Sequence, residues 1–172
     1  MDIQRRNFLR GRISKRHAAF LPPWTREDID FYHTCTQCGD CISACPEDII
    51  RTGEEGFPQL DFKKGGCIFC GECARACTHT VFKNDLATKP WHQIIAIESD
   101  CLTYRGVACQ SCQDSCDSYA IKFEYAVGWT PRPVVHTEAC TGCGMCIQVC
   151  PANALNMVSH QPITQEAYTH GT

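Results

Sequence analysis

The chain has 172 residues and a formal net charge of −3, which limits it to one domain or two small ones. No apolar run approaches the ~20 residues that span a bilayer, so the sequence is not that of an integral membrane protein. Cysteine is the exceptional residue, at 16 of 172 positions. Such a density indicates either a disulfide-stabilised secreted domain or a metal-binding protein of a reducing compartment.

The first predicted element is a basic arm at residues 1–30. Six Lys or Arg residues and one acid lie within residues 1–16, a formal +5 that leaves −8 for the rest of the chain. The stretch QRRNFLR is similar to a twin-arginine export signal, but the apolar segment and small-residue cleavage site of such a signal do not follow Leu9. We therefore expect a chain that stays in the cytoplasm, with an arm that is either a set of solvated charges or a docking segment for a partner.

Two regular cysteine groups follow the arm. Both have the spacing C-x2-C-x2-C-x3-C, which is typical of bacterial [4Fe–4S] ligands. The first group ends in the usual proline, Pro46, whereas the second has Thr78 in that place. Between them, FPQLDF at 57–62 has the pattern of a half-buried strand. The groups comprise Cys35, Cys38, Cys41 and Cys45, and then Cys67, Cys70, Cys73 and Cys77.

The third group is irregular and is recognisable only as part of a repeat. A predicted strand, QIIAI at 93–97, precedes a single cysteine, a gap of seven residues and three more cysteines. We interpret Cys101 as the first ligand of this group; the alternative is a buried structural thiol. The longer loop costs more chain entropy to close, so we expect this group to hold its cluster least firmly. Its members are Cys101, Cys109, Cys112 and Cys116.

The fourth group is regular again, and a predicted strand, PVVHT at 133–137, precedes it. Pro151 follows its last cysteine, and a polar tail occupies residues 159–172. Zinc is the main alternative to iron, but zinc sites use two separated pairs of ligands rather than three closely spaced cysteines and a fourth one turn later. The group comprises Cys140, Cys143, Cys146 and Cys150.

The cysteine loop with its helical turn therefore occurs four times, and a predicted strand precedes each group after the first. Two repeats make one α+β module, so we predict two tandem bacterial-type 2[4Fe–4S] ferredoxin modules, residues 31–84 and 85–158, with little regular structure outside short strands and helical turns. In such modules the fourth cysteine ligates the other cluster. The near-equal spacing favours adjacent groups as partners; the alternative nests groups two and three inside a module made from one and four. Adjacency predicts four ligand sets: Cys35, Cys38, Cys41 and Cys77; Cys67, Cys70, Cys73 and Cys45; Cys101, Cys109, Cys112 and Cys150; and Cys140, Cys143, Cys146 and Cys116.

Several features combine in an unusual way: paired arginines in the arm, LPPW at 21–24, the irregular stretch CLTYRGVACQSCQDSC at 101–116, and a last group that ends in CP. On these features the chain resembles the NapF-type ferredoxin proteins of bacterial periplasmic nitrate reductase systems. The resemblance implies a cytoplasmic iron–sulfur accessory protein that assists maturation of the molybdenum-containing catalytic subunit. Its expected partner is the cytoplasmic precursor of that subunit, before export.

Two function classes remain, a maturation factor and a plain electron carrier between a cytoplasmic donor and a redox enzyme. We expect no enzyme activity, because the sequence has neither a P-loop nor a dinucleotide-binding motif and uses all its cysteines as ligands. Each cluster with its four thiolates adds about −2, which makes the loaded protein strongly acidic. We therefore exclude nucleic acid and expect a protein partner with a basic docking surface.

Overall fold

The computed structural model describes residues 20–160, except residues 54, 126 and 129. Most of the predicted arm and tail lie outside these described residues. Within them the helices are short, and none is long and apolar enough to cross a membrane. The helices are α1 (Phe31–Thr34), α2 (Asp40–Ser43), α3 (Glu72–Ala76), α4 (Ser111–Asp114) and α5 (Met145–Gln148), with a 3-10 helix at Leu102–Arg105. The strands are β1 (Ile50–Thr52), β2 (Pro58–Leu60), β3 (Gln93–Ile97), β4 (Ile121–Glu124), β5 (Arg132–Val135) and β6 (Leu155–Ser159).

The six strands form three antiparallel pairs, β1 with β2, β4 with β5, and β3 with β6. The β4–β5 hairpin joins the return strand of group three to the entry strand of group four, and β3 and β6 flank the two groups. In the first half, β1–β2 is the equivalent hairpin, and a bridge between Thr25 and Phe82 replaces the outer pair. Adjacent groups thus share a module, and the prediction of two tandem modules is confirmed.

The predicted boundaries of the arm and the tail differ from the structure. Trp24, assigned to the arm, is 4 % exposed, and its neighbour Phe20 accepts a backbone hydrogen bond from Leu60 at 2.9 Å. Ser159, the first residue of the predicted tail, ends β6 and pairs with Gln93. Both segments are held by packing and backbone pairing with distant parts of the chain. Such contacts give no periodic pattern in the local sequence, so the boundaries could not be predicted from it.

Helices α2, α3 and α5 each begin after a glycine in the left-handed conformation. These glycines have φ of 84° at Gly39, 77° at Gly71 and 81° at Gly144. L-residues avoid this region because their Cβ crowds the following carbonyl, whereas glycine enters it freely. The turn carries the next cysteine of each regular group into the core: Cys41, Cys73 and Cys146 are buried. In the irregular group, α4 instead follows Gln110, which has φ of −132°.

One hydrophobic cluster runs through both modules, and aromatic rings lie where they meet. Trp91 packs edge-on against Phe69, with ring centroids 5.4 Å apart, and against Phe62 at 6.3 Å. The indole N–H of Trp91 donates to the Thr141 carbonyl at 2.9 Å, between two cysteines of the fourth group. These aromatic contacts join the loop of group two to the loop of group four.

Candidate iron–sulfur sites

The sixteen cysteines are free thiols, and their side chains converge in four quartets. Three quartets line cavities, and each takes its fourth cysteine from the neighbouring group of the same module. Quartet I is Cys35, Cys38, Cys41 and Cys77. Quartet II is Cys67, Cys70, Cys73 and Cys45. Quartet III is Cys101, Cys109, Cys112 and Cys150.

The remaining four cysteines form quartet IV, which consists of Cys140, Cys143, Cys146 and Cys116. Burial raises the pKa of Cys146 to about 12, and the thiols of the other three members are close enough to contribute to the increase. These four cysteines therefore also form one constellation, with the same crossed pattern as the other three.

The cavity walls suit a large inorganic group held by thiolates. Quartet I lies beside Phe31, Val81 and Phe82, which are all buried. Four cysteines around one cavity are the ligand set of a [4Fe–4S] cluster. Among the described residues, no three His, Cys, Asp or Glu side chains form a site for a single metal ion. The donor set and its apolar surroundings thus fit the cubane group.

Burial makes the inner thiols poor acids when no iron is bound. It raises the pKa of Cys41 and Cys112 to about 11, and that of Cys67 and Cys73 to about 12, with further increases from neighbouring cysteines. Thiolates are the form that binds iron, so cluster assembly must release protons from these positions. The positive charge of the iron core is what makes four thiolates compatible with such surroundings.

Cys116 is the exception, because its pKa is lowered. Burial acts to raise this pKa, but hydrogen bonds from the Ser118 hydroxyl and from the backbone N–H groups of Ala120 and Ile121 together outweigh it. The Ala120 N–H lies 3.3 Å from the sulfur. Ala154 donates in the same way to the sulfur of Cys150, the equivalent cysteine of the fourth group, at 3.3 Å.

Hydroxyl groups beside sulfur are a feature of the third group that the sequence analysis missed. Thr103 lies 3.3 Å from the Cys101 sulfur, Ser111 lies 3.7 Å from that of Cys109, and Ser118 lies 3.5 Å from that of Cys116. Each hydroxyl residue follows its cysteine by two positions, a spacing that could have been found in the sequence. Hydrogen bonds to sulfur tune the reduction potential of a cluster.

The long loop of the third group is ordered. Its 3-10 helix is closed by Gly106, which has φ of 81° and donates to the Thr103 carbonyl at 3.2 Å. Arg105 pairs with Asp100, and the guanidinium of Arg132 lies 5.7 Å from the ring centroid of Tyr104. These contacts restrain the loop and so offset part of the entropy cost that leads us to expect quartet III to be the least firmly held.

Comparisons with known proteins agree with this geometry. The family described as "4Fe-4S dicluster domain" matches the chain twice, at residues 34–81 and 107–154. The chain is 40 % identical over 168 residues to the "Ferredoxin-type protein NapF" of Haemophilus influenzae, covering 91 % of this chain and 94 % of that protein. It is 37 % identical to the protein of the same name from Escherichia coli K12, covering 90 % and 94 %.

The chain belongs to the NapF family of ferredoxin-type proteins. A more distant relative is the "Methylamine utilization ferredoxin-type protein MauM" of Methylorubrum extorquens, 33 % identical over 77 % of this chain and 68 % of that one. Two dicluster domains imply two clusters each, so this family member carries four [4Fe–4S] clusters and is an iron–sulfur protein of the electron-transfer type. The predicted cofactor is confirmed.

Proposed function

We propose that quartets I to IV, as defined above, each hold one [4Fe–4S] cluster, with the fourth ligand crossing between adjacent groups. The main support is that three cavities are each lined by four cysteines. In each cavity three cysteines come from one group, and the fourth comes from the other group of the same module. The clusters supply one-electron chemistry, and the chain's own residues hold them, exclude water and donate hydrogen bonds to sulfur.

We further propose that the protein acts in the cytoplasm on the molybdenum-containing catalytic subunit of a periplasmic nitrate reductase, before that subunit is exported. It assists maturation of the precursor by supplying electrons or iron–sulfur material. Support comes from its membership of the NapF family over about nine-tenths of its length. We propose no substrate turnover by this chain itself, since all of its cysteines are engaged in the four quartets.

The charge distribution supports a protein partner. The sequence outside residues 1–16 carries a formal −8, and four loaded clusters add about −8 more, against +5 in residues 1–16. A basic docking surface on the precursor would meet the acidic modules, and the arm would engage an acidic partner segment. Electrostatic matching of this kind mainly raises the rate of association and weakens with salt.

The alternative function is a general ferredoxin-type carrier between a cytoplasmic donor and a redox enzyme. A carrier of that kind binds its partners only briefly. Its presence or absence does not change how much active client enzyme is formed. A maturation factor instead binds the unexported precursor and determines how much active client forms. Stable co-purification with the precursor therefore separates the two functions.

The experiment is an anaerobic pull-down of the tagged catalytic-subunit precursor from cytoplasm, with nitrate reductase activity measured in parallel. We expect the loaded protein to co-purify with the precursor, and client activity to fall when the gene for this chain is deleted. Arg5→Gln/Arg6→Gln tests the twin-arginine-like pair, and Lys15→Gln/Arg16→Gln removes the same charge elsewhere in the arm as its control. Absence of precursor binding, with full client activity in the deletion strain, favours the general carrier.

A further inference from the structure

Within each module the two quartets are neighbours. Helix α2 packs against α3, and α4 packs against α5, so the third cysteines of paired groups face each other. The thiols of Cys41 and Cys73 interact electrostatically across the first pair, and those of Cys112 and Cys146 interact across the second. Quartet I therefore adjoins quartet II, and quartet III adjoins quartet IV.

The two modules also touch, at one particular pair of ligand residues. The backbone N–H of Cys67 donates to the carbonyl oxygen of Cys143 at 2.7 Å. Cys67 is the first cysteine of group two, and Cys143 is the second cysteine of group four. This hydrogen bond thus joins quartet II directly to quartet IV.

Glycine makes this close approach possible. A Cβ at Gly66, immediately before Cys67, would lie 2.6 Å from the Met145 Cγ and 2.8 Å from the Met145 backbone nitrogen. A Cβ at Gly144 would lie 2.2 Å from a ring carbon of Phe62. Both glycines are buried, and one of the atoms crowded at Gly66 belongs to the backbone, so a larger residue there is not accommodated by a side-chain movement alone and pushes the two modules apart. Trp91 also packs against Phe62 and Phe69 beside this contact between the modules.

We infer that the four clusters form one linear electron path in the order quartet I, II, IV, III, and that the electron crosses between modules at the Cys67–Cys143 hydrogen bond. The inference rests on the ligand sets of the proposed function. The spatial order differs from the order of the groups along the chain, because group four and not group three meets the first module. Gly66 is a positioning residue, because its lack of a side chain lets Cys67 approach Cys143.

The crossing step is a one-electron exchange. With clusters bound, the cysteines of quartets II and IV would hold the two groups between which one electron passes, so that one group would be oxidised and the other reduced. No bond forms or breaks and no proton moves. A low-potential one-electron donor outside the protein supplies the electron at one end of the path, and an acceptor protein removes it at the other.

The ends of the path differ in character. Quartet I contains Cys38, which is exposed while the other fifteen cysteines are buried or half-buried. Quartet III lies under the 3-10 helix and the adjoining loop, where Tyr104 and Val107 are exposed. Two dissimilar ends separated by two inner clusters suit a path that accepts an electron from one partner and delivers it to another.

The test uses Gly66→Ala in the full-length loaded protein, with Gly65→Ala as the matched control. The added Cβ at Gly65 would lie 3.4 Å from the Ile49 side chain, an ordinary contact, whereas at Gly66 it pushes on Met145. Iron and sulfide are counted first, so that only preparations with about sixteen of each are compared. Electron paramagnetic resonance of the fully reduced proteins then reports magnetic coupling between clusters.

Dipolar coupling falls with the cube of the separation, so displacing the modules weakens the coupling between them and preserves the coupling inside each. We expect Gly66→Ala to show weaker inter-module broadening and slower relaxation, and Gly65→Ala to match the unmodified protein. A fully loaded Gly66→Ala with an unchanged spectrum overturns the inference.

If Gly66→Ala assembles fewer clusters, an anaerobic crystal structure of the unmodified loaded protein decides. The clusters of quartets II and IV should be the closest pair between modules; any other closest pair contradicts the inference. The iron count separates a failure of the ligand sets from a failure of the electron path. Fewer than about sixteen iron atoms in the unmodified protein counts against the ligand sets, whereas full loading without coupling counts against the path alone.

Discussion

The cysteines of the third group differ from the others in their hydroxyl neighbours. Thr103 is 3 % exposed, and its hydroxyl lies within hydrogen-bonding distance of the Cys101 sulfur, at 3.3 Å. When that sulfur is an iron-bound thiolate it can only accept, so the hydroxyl donates. A donor to sulfur stabilises the more negative, reduced cluster and raises the reduction potential.

Thr103→Val should therefore lower the potential of one cluster and leave the other three unchanged. Valine has nearly the shape of threonine, so the loss of the hydroxyl is the main change. An anaerobic redox titration followed by electron paramagnetic resonance measures the effect. Ser115→Ala is the control, because this hydroxyl donates to the Cys112 carbonyl and not to sulfur. An unshifted titration in Thr103→Val contradicts the assignment of Cys101 as a ligand.

We expect the exposure of a single thiol, that of Cys38, to decide which cluster is lost first. Cys38 in quartet I is exposed, so oxidants reach this cluster most readily. Stepwise oxidation followed by alkylation and mass spectrometry identifies the cysteines that are released first. We expect Cys35, Cys38, Cys41 and Cys77. Early labelling of quartet III would instead support the argument from loop length.

At the scale of the elements, a left-handed glycine begins the helix of each regular group. Gly39 and Gly144 occupy equivalent positions with nearly equal φ, 84° and 81°, but their surroundings differ. A Cβ at Gly39 would have no neighbour within 4 Å, whereas a Cβ at Gly144 would collide with Phe62. Alanine variants at these two glycines therefore separate the free-energy cost of backbone strain from that of overpacking.

Gly39→Ala should destabilise the loaded protein by about 1–2 kcal/mol, the cost of a left-handed alanine. Gly144→Ala should add about 1–3 kcal/mol of overpacking to that strain. Anaerobic heating, followed by bleaching of the visible absorbance, ranks the two variants against the unmodified protein. Equal bleaching temperatures for both variants would show that Phe62 does not pack on Gly144 in solution.

The same elements show which features a sequence can predict. Ligand spacing is local, so the four cysteine groups and their helical turns follow from the positions of Cys35 to Cys150. The ordered loop at Leu102–Arg105 was only partly predictable, because one of its contacts, that of Tyr104, is with Arg132 from the distant strand β5. The burial of Trp24 and the Cys67–Cys143 hydrogen bond arise from contacts between distant segments. The sequence around these residues has no pattern that predicts such contacts.

In the whole molecule, two small modules are combined by a shared core and by contacts such as the Cys67–Cys143 backbone hydrogen bond. Modules of this size bury little surface, and cluster ligation contributes folding free energy that the short strands and helices lack. The crossed ligands also tie the two halves of each module together. Loss of one cluster should therefore loosen its own module before the other.

Iron counting in paired variants tests whether each cluster takes its fourth ligand from the adjacent group. Cys101→Ala and Cys150→Ala should each reduce the iron content from about sixteen to about twelve atoms per chain. The double variant Cys101→Ala/Cys150→Ala should also hold about twelve, because both cysteines serve one cluster. Cys140→Ala/Cys150→Ala should hold about eight, because two clusters are lost. The reverse pattern, with about eight in the first double variant and about twelve in the second, would contradict the crossed assignment.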